Sequence, residues 1–248
     1  MDRMLYLAMN GAKHVGWQQA TTANNLANVH TTGFKADQVA FRALPVVGDG
    51  APTRIYQVDN SIGTDLSPGG LMQTGNEQDF AVVTPGFFTV QTPDGGEAYT
   101  RDGGFVLDEA GTMRTRSGLT ILGDGGPLVI PQGNRVLIGN DGSVSAVPTT
   151  GADRNPQLIG QIKLVNPERA EVYKGEDGLF RLNGGDNAPA ANERVRLQSG
   201  ALEGSNVNAV ESLMQMISHA RHYDLNVKMM QTADQNARQA TQILALNG

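Results

Sequence analysis

Residues 208–246 read NAVESLMQMISHARHYDLNVKMMQTADQNARQATQILAL and contain neither glycine nor proline. Asn208 precedes Glu211 by three residues, which is the spacing of a helix-capping pair. A helix through the whole run is on the order of 55–60 Å long at 1.5 Å per residue, so part of it should project beyond a globular body. One face, the C-terminal seam, recurs in alternating steps of three and four residues and is mostly apolar. It holds Leu213, Met216, Ala220, Tyr223, Val227, Met230, Asp234, Ala237, Thr241 and Leu244.

The N-terminal end of the chain has the same pattern. Residues 3–28 contain no proline, and the spacing predicts a helix that ends near Asn28, with Gly33 in a left-handed conformation after it. Small residues dominate its apolar face, so the helix accepts a close neighbour but buries little area alone. Asn24 and Asn25 flank this face with polar side chains. The face, the N-terminal seam, holds Leu5, Ala8, Ala12, Val15, Gln19, Thr22, Leu26 and Val29.

Between these ends, short β-branched or aromatic runs alternate with Asp-Gly turns, a pattern typical of hairpins. We therefore predict a mainly β fold with α-helical termini and a central all-β sandwich or barrel-like domain. The expected strands include 87–90, 104–107, 119–122, 128–130 and 135–138, and the expected turns include 93–96, 101–104, 124–126 and 140–142. The predicted segments are an N-terminal helix at 1–33, an extended linker with a possible hairpin at 34–79, the β domain at 80–204 and the C-terminal helix at 205–248.

Composition excludes several classes of function. The 248 residues carry 19 Lys and Arg against 25 Asp and Glu, a net charge of −6, which disfavours nucleic-acid binding. No run is apolar enough for a membrane helix, so we expect a chain that is not membrane-inserted. The short apolar part of residues 1–10 does not fit a cleavable signal peptide. The absence of cysteine excludes disulfides and thiolate metal sites.

Candidate catalytic motifs are weak. His219 and His222 share a helical face, but no HExxH pattern completes a metal site. No nucleophile elbow or phosphate-binding glycine loop is present, and the Asp-Gly segments lack the ligand pattern of a calcium loop. We predict no catalytic, cofactor-binding or metal-binding residue, and no small-molecule substrate. A secreted β-domain hydrolase and a ligand-binding module remain alternatives, although Trp17, the single tryptophan, lies outside the β region.

Three motifs carry a family resemblance. The segment 23–35, ANNLANVHTTGFK, resembles the N-terminal signature of bacterial flagellar rod and hook proteins, and 200–211, GALEGSNVNAVE, is similar to their C-terminal signature. In the middle, 86–90 and 98–105 resemble β-domain motifs shared by the rod proteins. Within the family, the chain looks most like the proximal rod type, on its length and on residues 41–46 and 177–182. The distal rod type shares most motifs and is the alternative.

The resemblance implies a structural subunit and not an enzyme. Family members are exported unfolded by the flagellar type III apparatus and polymerise into the axial rod in the periplasm. Their terminal helices form a coiled-coil stem, which the two seams suit. The implied partners are the proximal and distal rod subunits, further copies of this chain and the export apparatus. The expected assembly interface comprises Leu5, Ala8, Ala12, Val15, Asn24, Asn25, Leu26, Asn28, Leu213, Met216, Ala220, Tyr223, Val227, Met230 and Leu244.

Overall fold

The computed structural model describes residues 3–45, 55–149, 155–183 and 189–246. Two compact units divide the chain. Unit 1 consists of Met1–Val29, Asp37–Asp65 and Val207–Gly248, and unit 2 consists of His30–Ala36 and Leu66–Asn206. Residues 46–54, which include Val46 of the family-like stretch and part of the predicted linker, lie outside the described residues. The four-segment division of the chain stays a prediction.

Unit 1 contains both terminal helices and one pair of strands. Helix α1 spans Arg3–Ala27, and helix α2 spans Ala209–Leu246, so both predicted helices are confirmed. The Asn208 side-chain oxygen accepts hydrogen bonds from the backbone N–H groups of Val210 (3.1 Å) and Glu211 (3.2 Å), which confirms the expected cap. Strands β1 (Asp37–Pro45) and β2 (Ile55–Thr64) pair antiparallel within the region predicted as a linker.

Unit 2 is built from short strands, most of them antiparallel. The strands are β3 (Leu71–Gln73), β4 (Phe80–Val82), β5 (Phe87–Gln91), β6 (Glu97–Thr100), β7 (Phe105–Leu107), β8 (Met113–Thr115), β9 (Thr120–Gly123), β10 (Gly126–Pro127), β11 (Asn134–Ile138), β12 (Ser143–Pro148), β13 (Gln157–Gln161), β14 (Leu164–Val165), β15 (Val172–Lys174), β16 (Phe180–Leu182), β17 (Leu197–Ser199) and β18 (Ala201–Glu203). The largest sheet has the order β15-β16-β6-β5-β9-β8-β7, with β10 beside β9 and β14 beside β5. A second sheet consists of β11, β12 and β13, and two further pairs are β17-β4 and β18-β3. A short 3-10 helix, Arg169–Glu171, precedes β15.

The core of unit 2 lies between these sheets and is rich in aromatic and β-branched side chains. Phe105 stands at its centre, with its ring centroid 5.8 Å from that of Phe80 and 5.1 Å from that of Phe88. Ile121 and Val144, from two different sheets, are fully buried in the same cluster. Burial of each large apolar side chain contributes about 1.5–3 kcal/mol. The buried hydrophobic residues of unit 1 are alanines, so unit 2 has the larger share of the hydrophobic stabilisation among the described residues.

The mainly β architecture with a helix at each end is confirmed. No sheet formed by the described strands closes on itself, so the barrel-like form of the prediction is wrong. The strands expected at 87–90, 104–107, 119–122 and 135–138 are present within one residue of their predicted starts. The run 128–130 is not a strand, because only Val129 forms a bridge, with Thr112.

One predicted hairpin turn is also wrong. The segment 101–104 joins β6 to β7, which lie in different parts of the sheet order and do not pair with each other. Its Asp-Gly-Gly residues serve a close backbone approach instead. A Cβ added at Gly103 would lie 1.6 Å from the carbonyl oxygen of Phe80, and the Gly103 carbonyl accepts the Phe80 N–H at 3.0 Å. Glycine is required here because any side chain would displace β4.

Candidate assembly site

The terminal helices α1 and α2 pack against each other through small side chains in unit 1. Ala8 and Ala12 of the N-terminal seam are buried. A Cβ added at Gly11 would lie 2.9 Å from the side-chain oxygen of Asn226, so the two helices approach closely at this point. The expectation that small residues on α1 admit a near neighbour agrees with this contact.

The least exposed face of α2 overlaps the C-terminal seam only in part. The two sets coincide at Met216, Val227 and Met230, which are half-buried. The most buried α2 side chains are instead those of Ser212 and Ala233. Both side chains are small, and a search for large apolar residues passes over them.

The other expected interface residues occupy varied environments. Leu5, Val15, Leu26, Asn25 and Asn28 are half-buried, whereas Asn24 is exposed. On α2, the side chains of Leu213, Ala220 and Tyr223 are exposed. Leu244 lies within α2, but its side chain is outside the described residues. The role of this set as an assembly interface stays a prediction.

Large apolar side chains are exposed along both helices of unit 1. Leu7 and Met9 on α1 are each 53% exposed, and Val210 on α2 is 65% exposed. Exposed apolar side chains grouped in this number on two packed helices make this unit the candidate for protein association. The full set is Met4, Tyr6, Leu7, Met9 and Trp17 on α1, and Val210, Leu213, Met214, Ile217, Tyr223, Leu225 and Met229 on α2.

The asparagines at the end of α1 fix the direction in which the chain leaves the helix. The Asn25 side chain donates to the carbonyl oxygen of Asp37 and accepts from the Asp37 N–H, both at 2.9 Å. The Asn28 side chain donates to the Asn24 carbonyl oxygen at 3.0 Å. The first two bonds tie the last turns of α1 to the start of β1, and the third joins the same two residues as the backbone bond from Asn28 N–H to the Asn24 carbonyl oxygen. Asn25 and Asn28 therefore have a role within the single chain.

The three family-like motifs meet in unit 2 at a buried group of charges, here called the junction cluster: Lys35, Arg101 and Glu203. The Lys35 ammonium donates to one Glu203 carboxylate oxygen at 2.6 Å, and the Arg101 guanidinium donates to the other at 2.9 Å. The Gly69 N–H adds a third bond to the carboxylate at 2.9 Å. The Lys35 and Glu203 side chains are each only 1% exposed.

Backbone contacts at the same place lock the motifs together. The Gly33 N–H donates to the Glu203 carbonyl oxygen at 2.8 Å. Gly33 has a φ of +68°, and a Cβ there would lie 2.4 Å from the Arg101 carbonyl carbon, so the predicted left-handed glycine is confirmed. The Thr32 hydroxyl donates to the Asp102 carboxylate at 2.8 Å.

Sequence reasoning missed the junction cluster as a unit, although each member lies in a motif singled out above. Lys35 is 168 residues from Glu203, and Arg101 is 102 residues from it. Separation of this size leaves no periodic signal. The available signal was indirect: two cations, Lys35 and Arg101, and one anion, Glu203, each stand inside a family-like motif.

His219 lies close to His222 on α2. Burial, together with the neighbouring His222, lowers the pKa of His219 below its ordinary value. Across the described residues, no group of three or more His, Cys, Asp or Glu is placed to hold a metal ion. In the same part of the chain, no helix is both long and apolar enough to cross a membrane.

Comparison with known families matches three segments of the chain. The family described as "Flagella basal body rod protein" matches residues 5–35, and "Flagellar hook protein FlgE/F/G D1 domain" matches residues 81–146. The family "Flagellar basal body rod FlgEFG protein C-terminal" matches residues 198–243. Lys35, Arg101 and Glu203 thus fall one in each matched segment.

Full-length relatives give the same result. The flagellar basal-body rod protein FlgF of Escherichia coli (strain K12) is 38% identical, with 100% of each chain covered. The FlgF protein of Caulobacter vibrioides is 34% identical over 98% of each chain. The flagellar basal-body rod protein FlgG of Bacillus subtilis (strain 168) is 33% identical, covering 95% of this chain and 96% of that protein.

Proposed function

This chain belongs to the family of flagellar basal-body rod proteins and is of the FlgF type, and we propose that it is a structural subunit of the proximal rod that polymerises through α1 and α2. Its place is the rod of the flagellar basal body. The observation that carries the proposed mode of assembly is the set of large apolar side chains exposed on both terminal helices. Covering each by a neighbouring subunit contributes up to about 1.5–3 kcal/mol.

The two helices suit a coiled-coil stem in the inner wall of the rod, with the strands of unit 2 packed as a sandwich around their aromatic core. Small residues such as Ala8 and Ala12 face inward within the chain, and the larger side chains remain for contacts between subunits. Such contacts between unlike surfaces do not close and therefore build a helical filament. The neighbours along the shaft are further copies of this chain and other rod subunits.

Export through the flagellar type III apparatus before folding is the proposed route to the rod. A chain without cysteine passes between reducing and oxidising spaces without forming wrong disulfides. The proposed final position is the periplasmic part of the basal body. A catalytic role is not part of the proposal, because the features that carry it are packing surfaces and a buried ion cluster.

Assembly through α2 is tested with Leu213→Asp. Leu213 is 50% exposed, so the substitution leaves the single chain folded but places a carboxylate in the contact between subunits. We expect normal circular dichroism of the purified protein, with loss of rod completion and of motility. Gln239→Asp is the matched control, since Gln239 is also exposed on α2 but lies outside the seam and ten residues beyond Met229, the last of the exposed apolar set named above. A motile Leu213→Asp strain would contradict assembly through this face.

The distal rod is the second candidate, because the FlgG relative from Bacillus subtilis is 33% identical over nearly the whole chain. The higher identity of 38% to the Escherichia coli FlgF protein favours the proximal position. Labelling this chain in purified basal bodies and measuring its axial level separates the two.

A further inference from the structure

A small cavity of about 280 Å³ opens on unit 2 beside the junction cluster. Its wall is largely apolar and includes Leu66, Val83, Pro85 and Phe87. The volume lies at the lower edge of the roughly 300–1,000 Å³ typical of pockets for drug-sized ligands. A cavity of this size suits one or two protein side chains.

Arg101 gives this cavity a specific chemical character. Its side chain lines the cavity and is only 6% exposed, and it donates to Glu203, to the Val82 carbonyl oxygen and to the Thr84 carbonyl oxygen. The Arg101 Nε–H, which is also buried, has no acceptor among the described residues. A buried donor without an acceptor costs about 1–3 kcal/mol, so Arg101 has donor capacity that the described residues leave unused.

The charge of the wall indicates which acceptor fits. Among the residues that the structure describes, the charged ones that line the cavity are Arg101 and Arg169, and none of the lining is Asp or Glu. Lys35, Arg101 and Glu203 together carry a formal charge of +1 behind this wall. A carboxylate attached to an apolar segment therefore complements both the charge and the apolar surface.

We propose that the cavity receives the Glu211 carboxylate of a second copy of this chain, with the apolar side chains next to it on α2 packed against the cavity wall. The proposal rests on the proposed function, in which copies of the chain are neighbours in the rod. Glu211 is exposed, and among the described residues its carboxylate accepts a hydrogen bond from the Gln215 side chain at 3.2 Å. Val210 and Met214, 65% and 61% exposed, are its apolar neighbours on the helix.

The contact is heterologous, since a cavity on one copy meets a helix start on the next. Such a contact repeats along a filament and does not close into a two-fold dimer. The chain as a whole has an acidic excess, with a net charge of −6, and the cavity is a local cationic exception. Opposite charges at the two ends of one contact fix the register between successive copies.

The test is disulfide trapping between two differently tagged chains, which is clean because the protein has no cysteine. Cells express one chain with Val83→Cys at the cavity rim and one with Val210→Cys, and basal bodies are purified and mildly oxidised. We expect a mixed disulfide joining the two tags, at roughly tenfold or more the yield from a Val106→Cys chain in place of the Val83→Cys chain. Val106 is 41% exposed, comparable to Val83 at 45%, but does not line this cavity.

A second arm tests the carboxylate itself. Adding Glu211→Gln to the Val210→Cys chain should lower the yield of mixed disulfide several-fold, whereas Asp234→Asn, the same charge change farther along α2, should leave it unchanged. Rods that contain both tagged chains but give the same low yield as the Val106→Cys control would overturn the inference while leaving the proposed function intact. Absence of both chains from purified rods would contradict the proposed function, and the inference with it.

Discussion

At the scale of the residue, Glu203 is the side chain that connects the three family-like motifs. Its carboxylate pairs with both Lys35 and Arg101 in a site almost closed to solvent, and its carbonyl oxygen accepts a hydrogen bond from the Gly33 N–H. A buried ion pair is weak evidence for stability in itself, but removing one partner leaves an uncompensated buried charge. We therefore expect that replacing any one of the three charged residues alone destabilises the place where the motifs meet.

The substitution Glu203→Gln should lower the free energy of unfolding by about 3–5 kcal/mol, because two buried cations lose their counter-charge while side-chain volume is kept. Urea unfolding of the purified chain at pH 7, followed by circular dichroism, measures this. Glu97→Gln is the control, since the Glu97–Lys163 pair is more exposed and should contribute about 0–1 kcal/mol. Equal losses for the two variants would show that burial of the cluster does not matter.

Ionisation of Tyr99 should lower the stability of unit 2 at alkaline pH. Burial, and then the nearby Glu97, raise the pKa of Tyr99 to about 12 from an ordinary value of 10.0. Its stabilising contribution is fully present below pH 10 and is lost as the pH rises towards 12, because the phenol ionises first in the unfolded chain.

Between pH 8 and pH 11, the wild-type chain should therefore lose more stability than Tyr99→Phe, which has no ionising phenol. Urea midpoints at the two pH values give the comparison. Tyr173→Phe serves as the control, since Tyr173 is 45% exposed and should follow the wild type. Parallel losses in wild type and Tyr99→Phe would exclude this residue as the cause.

At the scale of elements, the approach of α1 to α2 depends on small residues. A Cβ at Gly11 would lie 2.9 Å from the Asn226 side-chain oxygen and force that side chain, which donates to the His222 carbonyl oxygen, to shift; nothing lies within 4 Å of the position that a Cβ would take at Gly16. Both glycines lie in α1, so they form a matched pair for testing the helix contact.

Gly16→Ala should raise the melting temperature, because alanine is favoured over glycine in a helix by about 1 kcal/mol. Gly11→Ala should lower it, since overpacking against Asn226 costs about 1–3 kcal/mol and outweighs the same gain. Thermal melting followed by the fluorescence of Trp17, which lies on α1, measures both variants. Similar increases for the two variants would show that the helices do not meet tightly at Gly11.

Features that depend on neighbouring residues were predictable from the sequence, and features that depend on distant contacts were not. Both helices were predictable because the runs without proline or frequent glycine are long and their caps are local, as Asn208 illustrates. The turn at 101–104 was mispredicted because Asp-Gly also occurs where a backbone must approach another strand, here β4. The junction cluster depends on pairings across more than 100 residues, which local patterns do not encode.

At the scale of the whole molecule, the chain separates two kinds of surface. Unit 2 buries most of its phenylalanine side chains in a core of its own, while unit 1 leaves large apolar side chains exposed on two helices. In a subunit that functions only in a filament, this division places folding in the β unit and association in the helices. The stiffness of the rod would then result from many repeated small contacts.

The most direct test is an electron cryo-microscopy map of purified basal bodies at a resolution that shows side chains. We expect this chain in the proximal rod, with Leu213 and Ile217 of α2 covered by a neighbouring subunit. A rod in which these side chains face solvent, or from which this chain is missing, would contradict assembly through the terminal helices.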